Sequence, residues 1–178
     1  MYAIYVWIFN KIENCFHNFL KHSCDRLSIR AVKFIAFYYP DAKIRKLYLR
    51  RLGFIMDEGT FSNLGLKFTM NDDFSPCVFV AKRVSIAPNV TFIANSEPNN
   101  SLLLTQNSYV REKLIKKNTK IIVEDDVWIG ANVTIMPGVR LRRGCIIGAG
   151  AVLTKDTDEF GVYAGIPAIK IRQLEGFK

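Results

Sequence analysis

Residues 123–156 (VEDDVWIGANVTIMPGVRLRRGCIIGAGAVLTKD) repeat every six positions. An aliphatic residue opens each block at Val123, Ile129, Ile135, Leu141, Ile147 and Leu153. A small or β-branched residue follows four places on, at Val127, Val133, Val139, Cys145 and Ala151. Amphipathic helices repeat near 3.6 and exposed strands at 2, so neither generates this spacing. A fixed six-residue period points to a parallel β-helix, in which each six is a short strand plus a corner and three sixes close one triangular coil. The aliphatic side chain fills the interior and the small one fits near a corner, where Gly, Asn or Asp supply the tight backbone. Stacked coils then pair backbone to backbone at about 4.8 Å, each touching only its neighbours. The fold expected is an all-β repeat.

The chain's 178 residues suit one such domain with an appendage. Its net charge of +9 is unusual and suggests an anionic partner: nucleic acid, a membrane surface or a phosphate-rich cofactor. No nucleic-acid-binding motif accompanies the charge, so the phosphate reading leads and no nucleic acid is expected. Cys15, Cys24, Cys77 and Cys145 lack metal-ligand spacing, and Cys145 holds the small slot of its hexad. Reduced thiols in the cytoplasm fit this pattern better than disulfides or a metal site. Residues 1–9 (MYAIYVWIF) are apolar but lack a basic leader and are too short to cross a bilayer, so neither signal peptide nor transmembrane helix is expected.

Three parts are expected along the chain: a helical segment (1–53), the β-helix (54–172) and a short tail (173–178). Within the first, residues 2–20 read as an amphipathic helix with Tyr5, Val6, Ile8, Phe9, Ile12, Phe16, Phe19 and Leu20 as its apolar side. Asp25 can cap a second helix running to about Tyr38; Asp41 can cap a third, stopped by Gly53. Lys43, Arg45, Lys46, Arg50 and Arg51 give the third helix a basic face, either solvated or seated at an anionic membrane surface. Faint hexads begin at Ile55 and Phe61, lapse over 67–79, and return at Val80, Ile86 and Phe92. Residues 98–120 are polar and basic without hexads, and read as one long excursion loop between coils. The end is basic, with Lys170, Arg172 and Lys178.

Trp128-Ile-Gly-Ala-Asn-Val-Thr-Ile-Met-Pro-Gly-Val, Ile147-Gly-Ala-Gly-Ala-Val-Leu-Thr-Lys-Asp and Ala164-Gly-Ile-Pro-Ala resemble the left-handed β-helix (hexapeptide-repeat) acyltransferases. The nearest look is the branch of galactoside, maltose and nodulation-factor O-acetyltransferases, with the capsule and O-antigen O-acetyltransferases. The resemblance covers about residues 55–172. It implies a left-handed coil, a homotrimer, and acetyl-CoA bound between subunits for transfer to a saccharide hydroxyl, with no metal. By motif position Ala131 and Ala149 match backbone contacts to the pantetheine arm, and Trp128 a wall beside it. Thr154, Lys155 and Arg172 match the adenosine and phosphate end, where Lys and Arg suit phosphate oxygens. Lys170 stands one place beyond the family's usual basic residue. A role in surface-polysaccharide assembly follows from this likeness and from the N-terminal helices.

The chemistry needs a base for the acceptor hydroxyl. Where the family carries a His, often followed by Pro, this chain has Glu97 and Pro98; its two histidines, His17 and His22, lie in the helical segment. Three readings stand. Glu97 is itself the base, with partial burial against a neighbour raising its pKa; or the site is impaired, leaving a binding or scaffold protein; or another group, such as His17 or His22, takes over. On the acceptor side, Asp72 and Asp73 sit loosely where sugar acetyltransferases place an acidic contact, and the pattern is equally that of a turn. A small non-sugar acceptor is the remaining alternative.

Overall fold

The computed structural model describes residues 2–98, 100–117 and 119–176. Lys178 and the side chains of Ile8 and Phe9 lie outside the described residues. The chain opens with α1 (Tyr2–Ser23), α2 (Ile29–Tyr38) and α3 (Ala42–Arg51). Asp41 caps α3 as expected, its Oδ1 accepting from the Ile44 N–H at 2.8 Å. Asp25 does not cap α2. The Arg26 and Leu27 amides both fold back onto the Ser23 carbonyl, which leaves Asp25 inside a turn. The cap is Ser28, accepting from the Ala31 N–H.

The coil follows as four sets of three strands: β1 (Phe54–Met56), β2 (Phe61–Ser62), β3 (Lys67–Thr69); β4 (Val78–Val80), β5 (Ser85–Ile86), β6 (Thr91–Ile93); β7 (Ile121–Val123), β8 (Trp128–Ile129), β9 (Thr134–Ile135); β10 (Arg140–Leu141), β11 (Ile146–Ile147), β12 (Val152–Leu153). Every third strand pairs in parallel, giving a first sheet β1-β4-β7-β10, a second containing β2-β5-β8-β11 and a third β3-β6-β9-β12. β13 (Gly161–Ala164) extends the second sheet in parallel, and β14 (Ile169–Gln173) closes it antiparallel.

All six hexad-opening residues from Val123 to Leu153 are buried, as are Val127, Val133, Val139, Cys145 and Ala151. Corners take a left-handed residue every sixth place: Asp126, Asn132, Gly138, Gly144 and Gly150. Asn and Asp tolerate that conformation, and Gly adopts it freely. At Gly144 there is a second reason, since a Cβ there would stand 2.4 Å from the Phe160 ring.

The first coil is phased one residue later than Ile55 and Phe61 suggest. Met56 pairs with Val80, Ser62 with Ile86 and Phe68 with Phe92, so the inward series runs Met56, Ser62, Phe68. The lapse is accordingly confined to the turn between β3 and β4. Phe54 meets Phe68 and Phe92 edge-on, with ring centroids 5.2 and 5.0 Å apart, and Phe37 of α2 lies 6.1 Å from Phe68. This cluster joins helices to coil through apolar burial and quadrupole-matched rings.

The basic face expected on α3 is largely turned to the body. Arg45 is only 3% exposed, its Nη1 donating to the Tyr39 and Pro40 carbonyls and its Nη2 to that of Ser62. Arg51 donates to the Cys24 and Leu27 carbonyls, and Lys46 to that of Asp57.

Burial pushes the Cys145 thiol up to about 11 against an ordinary 9.0, with a Thr157 hydrogen bond opposing. Between those values the unfolded chain loses this proton first, so folded stability falls as pH rises through the window. At about 1.4 kcal/mol per unit, Cys145→Ala should flatten that slope by about 2–3 kcal/mol in total. Urea midpoints of both proteins compared below pH 9 and near pH 11 check this; parallel slopes would contradict it.

Candidate active site

Two edges of the triangular coil carry the residues singled out in the sequence. On the edge after the third sheet, three of the four coils leave a polar group: Asp72 beyond β3, Glu97 beyond β6, Thr154 and Lys155 beyond β12. Strands of one sheet stack at about 4.8 Å, so β6 and β12, which precede Glu97 and Lys155, lie about 10 Å apart. On the other edge, between the second and third sheets, Ala131 and Ala149 follow β8 and β11. The Gly150 amide donates to the Ala131 carbonyl at 2.8 Å, and the Asn132 amide to that of Pro88. Small residues thus form a flat column. A Cβ on Gly130 would stand 2.7 Å from the Ala149 nitrogen, which holds the column tight.

Glu97 lines a cleft of about 370 Å³ with Thr69, Met70, Asp72, Ile93, Asn95 and Ser96. Its side chain is one-quarter exposed, and Oε2 lies 2.5 Å from Lys117 Nζ. The bond and charge of Glu97, with a further contribution from Asp72, raise the Lys117 pKa and keep it an ammonium. The Asn95 Oδ1 atom is buried with no hydrogen-bond partner among the described residues. A buried amide oxygen without a donor is costly, and a ligand hydroxyl reaching it would satisfy it. Sequence reading misses Asn95, and it sees Lys117 only as one of the basic residues of the excursion, not as the partner of Glu97.

Lys117 reaches Glu97 because of how the excursion is closed. Ser96 and Lys116 form an antiparallel bridge, each amide donating to the other's carbonyl at 2.9 Å. Beyond this neck lie α4 (Leu102–Gln106), capped by Ser101, and a π-helical turn at 110–114. The expected acidic pair separates. Asp72 stands in the cleft, while Asp73 Oδ1 accepts from the Ser75 N–H at 2.9 Å, and bonds from Ser75 hold its carboxyl below the usual range. That makes Asp73 a turn residue by geometry.

Thr154 and Lys155 share a hollow of about 280 Å³ with Tyr163, Pro167, Ala168, Ile169 and Lys170. Lys170 donates to Asp158 Oδ2 at 2.9 Å, so its charge is partly engaged. Arg172, on β14, and Lys155 are exposed and carry no ion pair among the described residues. Trp128 is 58% exposed over a separate hollow of about 390 Å³ with Asp126, Arg143, Ile146, Phe160 and Leu174. The His22 ring Nδ1 bonds the Asn18 carbonyl, and His17 is half-buried on the same helix. Among the described residues no group of three or more His, Cys, Asp or Glu could hold a metal.

Residues 120–155 match the family model described as the hexapeptide repeat of succinyl-transferase. The galactoside O-acetyltransferase of Lactococcus lactis is 34% identical over 116 residues, 65% of this chain and 51% of that protein. A hexapeptide-repeat-containing acetyltransferase of Vibrio cholerae, solved with acetyl coenzyme A, superposes with a TM-score of 0.62 at 24% identity, covering 88% of each chain. A polysialic-acid-specific acetyltransferase gives 0.54 at 28% identity, over 67% of this chain and 51% of the other. The chain spans about half the length of the curated relatives it matches. Repeat, three-sheet winding and these likenesses agree: the chain carries a hexapeptide-repeat coil like that of these acetyltransferases.

Proposed function

We propose that the protein is an acetyl-CoA-dependent O-acetyltransferase acting on a saccharide hydroxyl in surface-polysaccharide assembly, working as a homotrimer of left-handed coils. One observation carries the reading: Glu97 faces a cleft shared with Asp72 and Asn95, on the edge that also bears Lys155. Acetyl-CoA supplies the acyl group as a thioester. Glu97 takes the proton of the acceptor hydroxyl as that oxygen attacks the thioester carbonyl; the C–S bond then breaks, and the proton passes to the departing CoA thiolate. Lys117 orients the carboxylate, and Asn95 Oδ1 and Asp72 accept from neighbouring hydroxyls of the sugar.

The residues suit the long anionic donor. The Ala131–Ala149 column offers a surface without bulk for a pantetheine arm, Trp128 an apolar wall, and Thr154, Lys155 and Arg172 hydroxyl and cationic partners for phosphates. Lys170 contributes less because Asp158 already holds it. These two sets lie on different edges, roughly 15–20 Å apart across one sheet. A neighbour related by a three-fold axis would bring one edge against the other, which favours a trimer with sites at its seams.

The test is release of free CoA from acetyl-CoA over a panel of mono- and oligosaccharides, with the products weighed by mass spectrometry. Acceptor-dependent release with an acetylated sugar is expected. Cofactor binding without release for any hydroxyl acceptor would leave a scaffold, and release confined to non-sugar acceptors would overturn the saccharide assignment.

A further inference from the structure

The helix α1 is covered mainly at its C-terminal end among the described side chains. Among the described side chains, its last turn reaches the core, through Leu20 and Ser23, with the Tyr48 hydroxyl donating to the Leu20 carbonyl at 2.8 Å. Tyr5, Ile12, Phe16 and Phe19 are each more than half exposed. Steps of seven, four and three residues set these four on one helical face. Trp7 and Lys11 flank it, with the ammonium 4.1 Å from the ring centroid. Phe16 also stacks on Phe19 at 6.4 Å, so the stripe is continuous at that end. Aromatic surface of this extent does not stay in water unless something covers it.

Charge identifies the cover. Residues 1–53 hold ten of the 25 Lys and Arg but only three of the 16 Asp and Glu, which is seven of the chain's nine surplus positive charges. Several cations of α3 are bonded to the body, whereas Lys11, Lys21, Arg26, Arg30 and Lys33 on and beside α1 and α2 are exposed. The acidic residues among them are Glu13 and Asp25. Among the described residues no helix is long and apolar enough to cross a membrane.

We propose that α1 lies flat on an anionic lipid surface, seating Tyr5, Ile12, Phe16 and Phe19 at the acyl boundary while the surrounding lysines and arginines meet the headgroups. An aromatic stripe supplies the insertion and the cations supply attraction that salt screens. Vesicle binding is read without any acyl donor, so its outcome is separate from that of the transfer reaction.

The full-length protein is floated with vesicles of phosphatidylglycerol and phosphatidylcholine in equal parts, and with phosphatidylcholine alone. Flotation with the mixed vesicles, weakened by salt and absent without phosphatidylglycerol, is expected. The double variant Phe16→Ser/Phe19→Ser should bind about tenfold or more weakly with its circular dichroism and oligomeric mass unchanged. Three results would overturn the proposal: no flotation; flotation indifferent to the double variant; or a fall in oligomeric mass in that variant, which would assign the stripe to a second copy.

Discussion

Replacing Glu97 by Gln is expected to cut acetyl transfer by about a hundred- to ten-thousand-fold while leaving CoA affinity unchanged. Gln keeps the volume and the hydrogen-bonding reach of the side chain but cannot hold a proton between acceptor and departing thiolate. The carboxylate sits one-quarter exposed in its cleft, with Lys117 Nζ 2.5 Å away. An ion pair this open adds little to folding, so the variant should melt as the parent does, and the lost rate can be assigned to chemistry. Steady-state rates with a saccharide acceptor, paired with calorimetric titration of CoA, separate the two effects. A rate within a few-fold of the parent would remove Glu97 as the base and return attention to His17 and His22. A loss of CoA affinity equal to the loss of rate would make Glu97 a binding residue.

The largest stability effect is expected at Arg45. Changing it to Met should lower unfolding free energy by about 3–5 kcal/mol, because the carbonyls of Tyr39, Pro40 and Ser62 lose charge-assisted donors in a region closed to water. Arg45→Lys should recover little of this. One ammonium cannot fork to carbonyls on the α2–α3 connection and on β2 at once, whereas the planar guanidinium does. Urea unfolding monitored by circular dichroism reads the difference. A loss below about 1 kcal/mol for Arg45→Met would mean that water or a shifted backbone satisfies those carbonyls.

The hexads from Val123 onward are legible because each contributes one aliphatic residue to a shared interior, and six places is the only period that puts them all there. The first coil is harder to read. Ser62 occupies an inward slot, and apolar Ile55 sits beside the true inward Met56, so hydropathy alone misplaces the phase by one. Arg45 reads as solvated because a helix charge pattern carries no record of the distant carbonyls that bury it. The pairing of Lys117 with Glu97 is invisible for a similar reason: they are 20 residues apart, and the neck at Ser96 and Lys116 makes them neighbours. Glu97 stands out in the sequence as an acid before Pro98 where the coil gives way to the excursion, and the fold sets it in a cleft. Asn95 offered no signal, since its orphaned oxygen exists only in the folded cleft.

The neck has a consequence for how this scaffold changes over time. Because Ser96 and Lys116 pin the excursion at its root, its tip hangs from a fixed anchor, and lengthening or rewriting residues between them costs only the slowly growing entropy of a longer closed loop. Lys117 lies on the coil side of that anchor, so the partner of Glu97 is insulated from whatever happens at the tip. The fold therefore separates an excursion free to change in length and sequence from a coil-side contact, Lys117 with Glu97, that its changes leave in place.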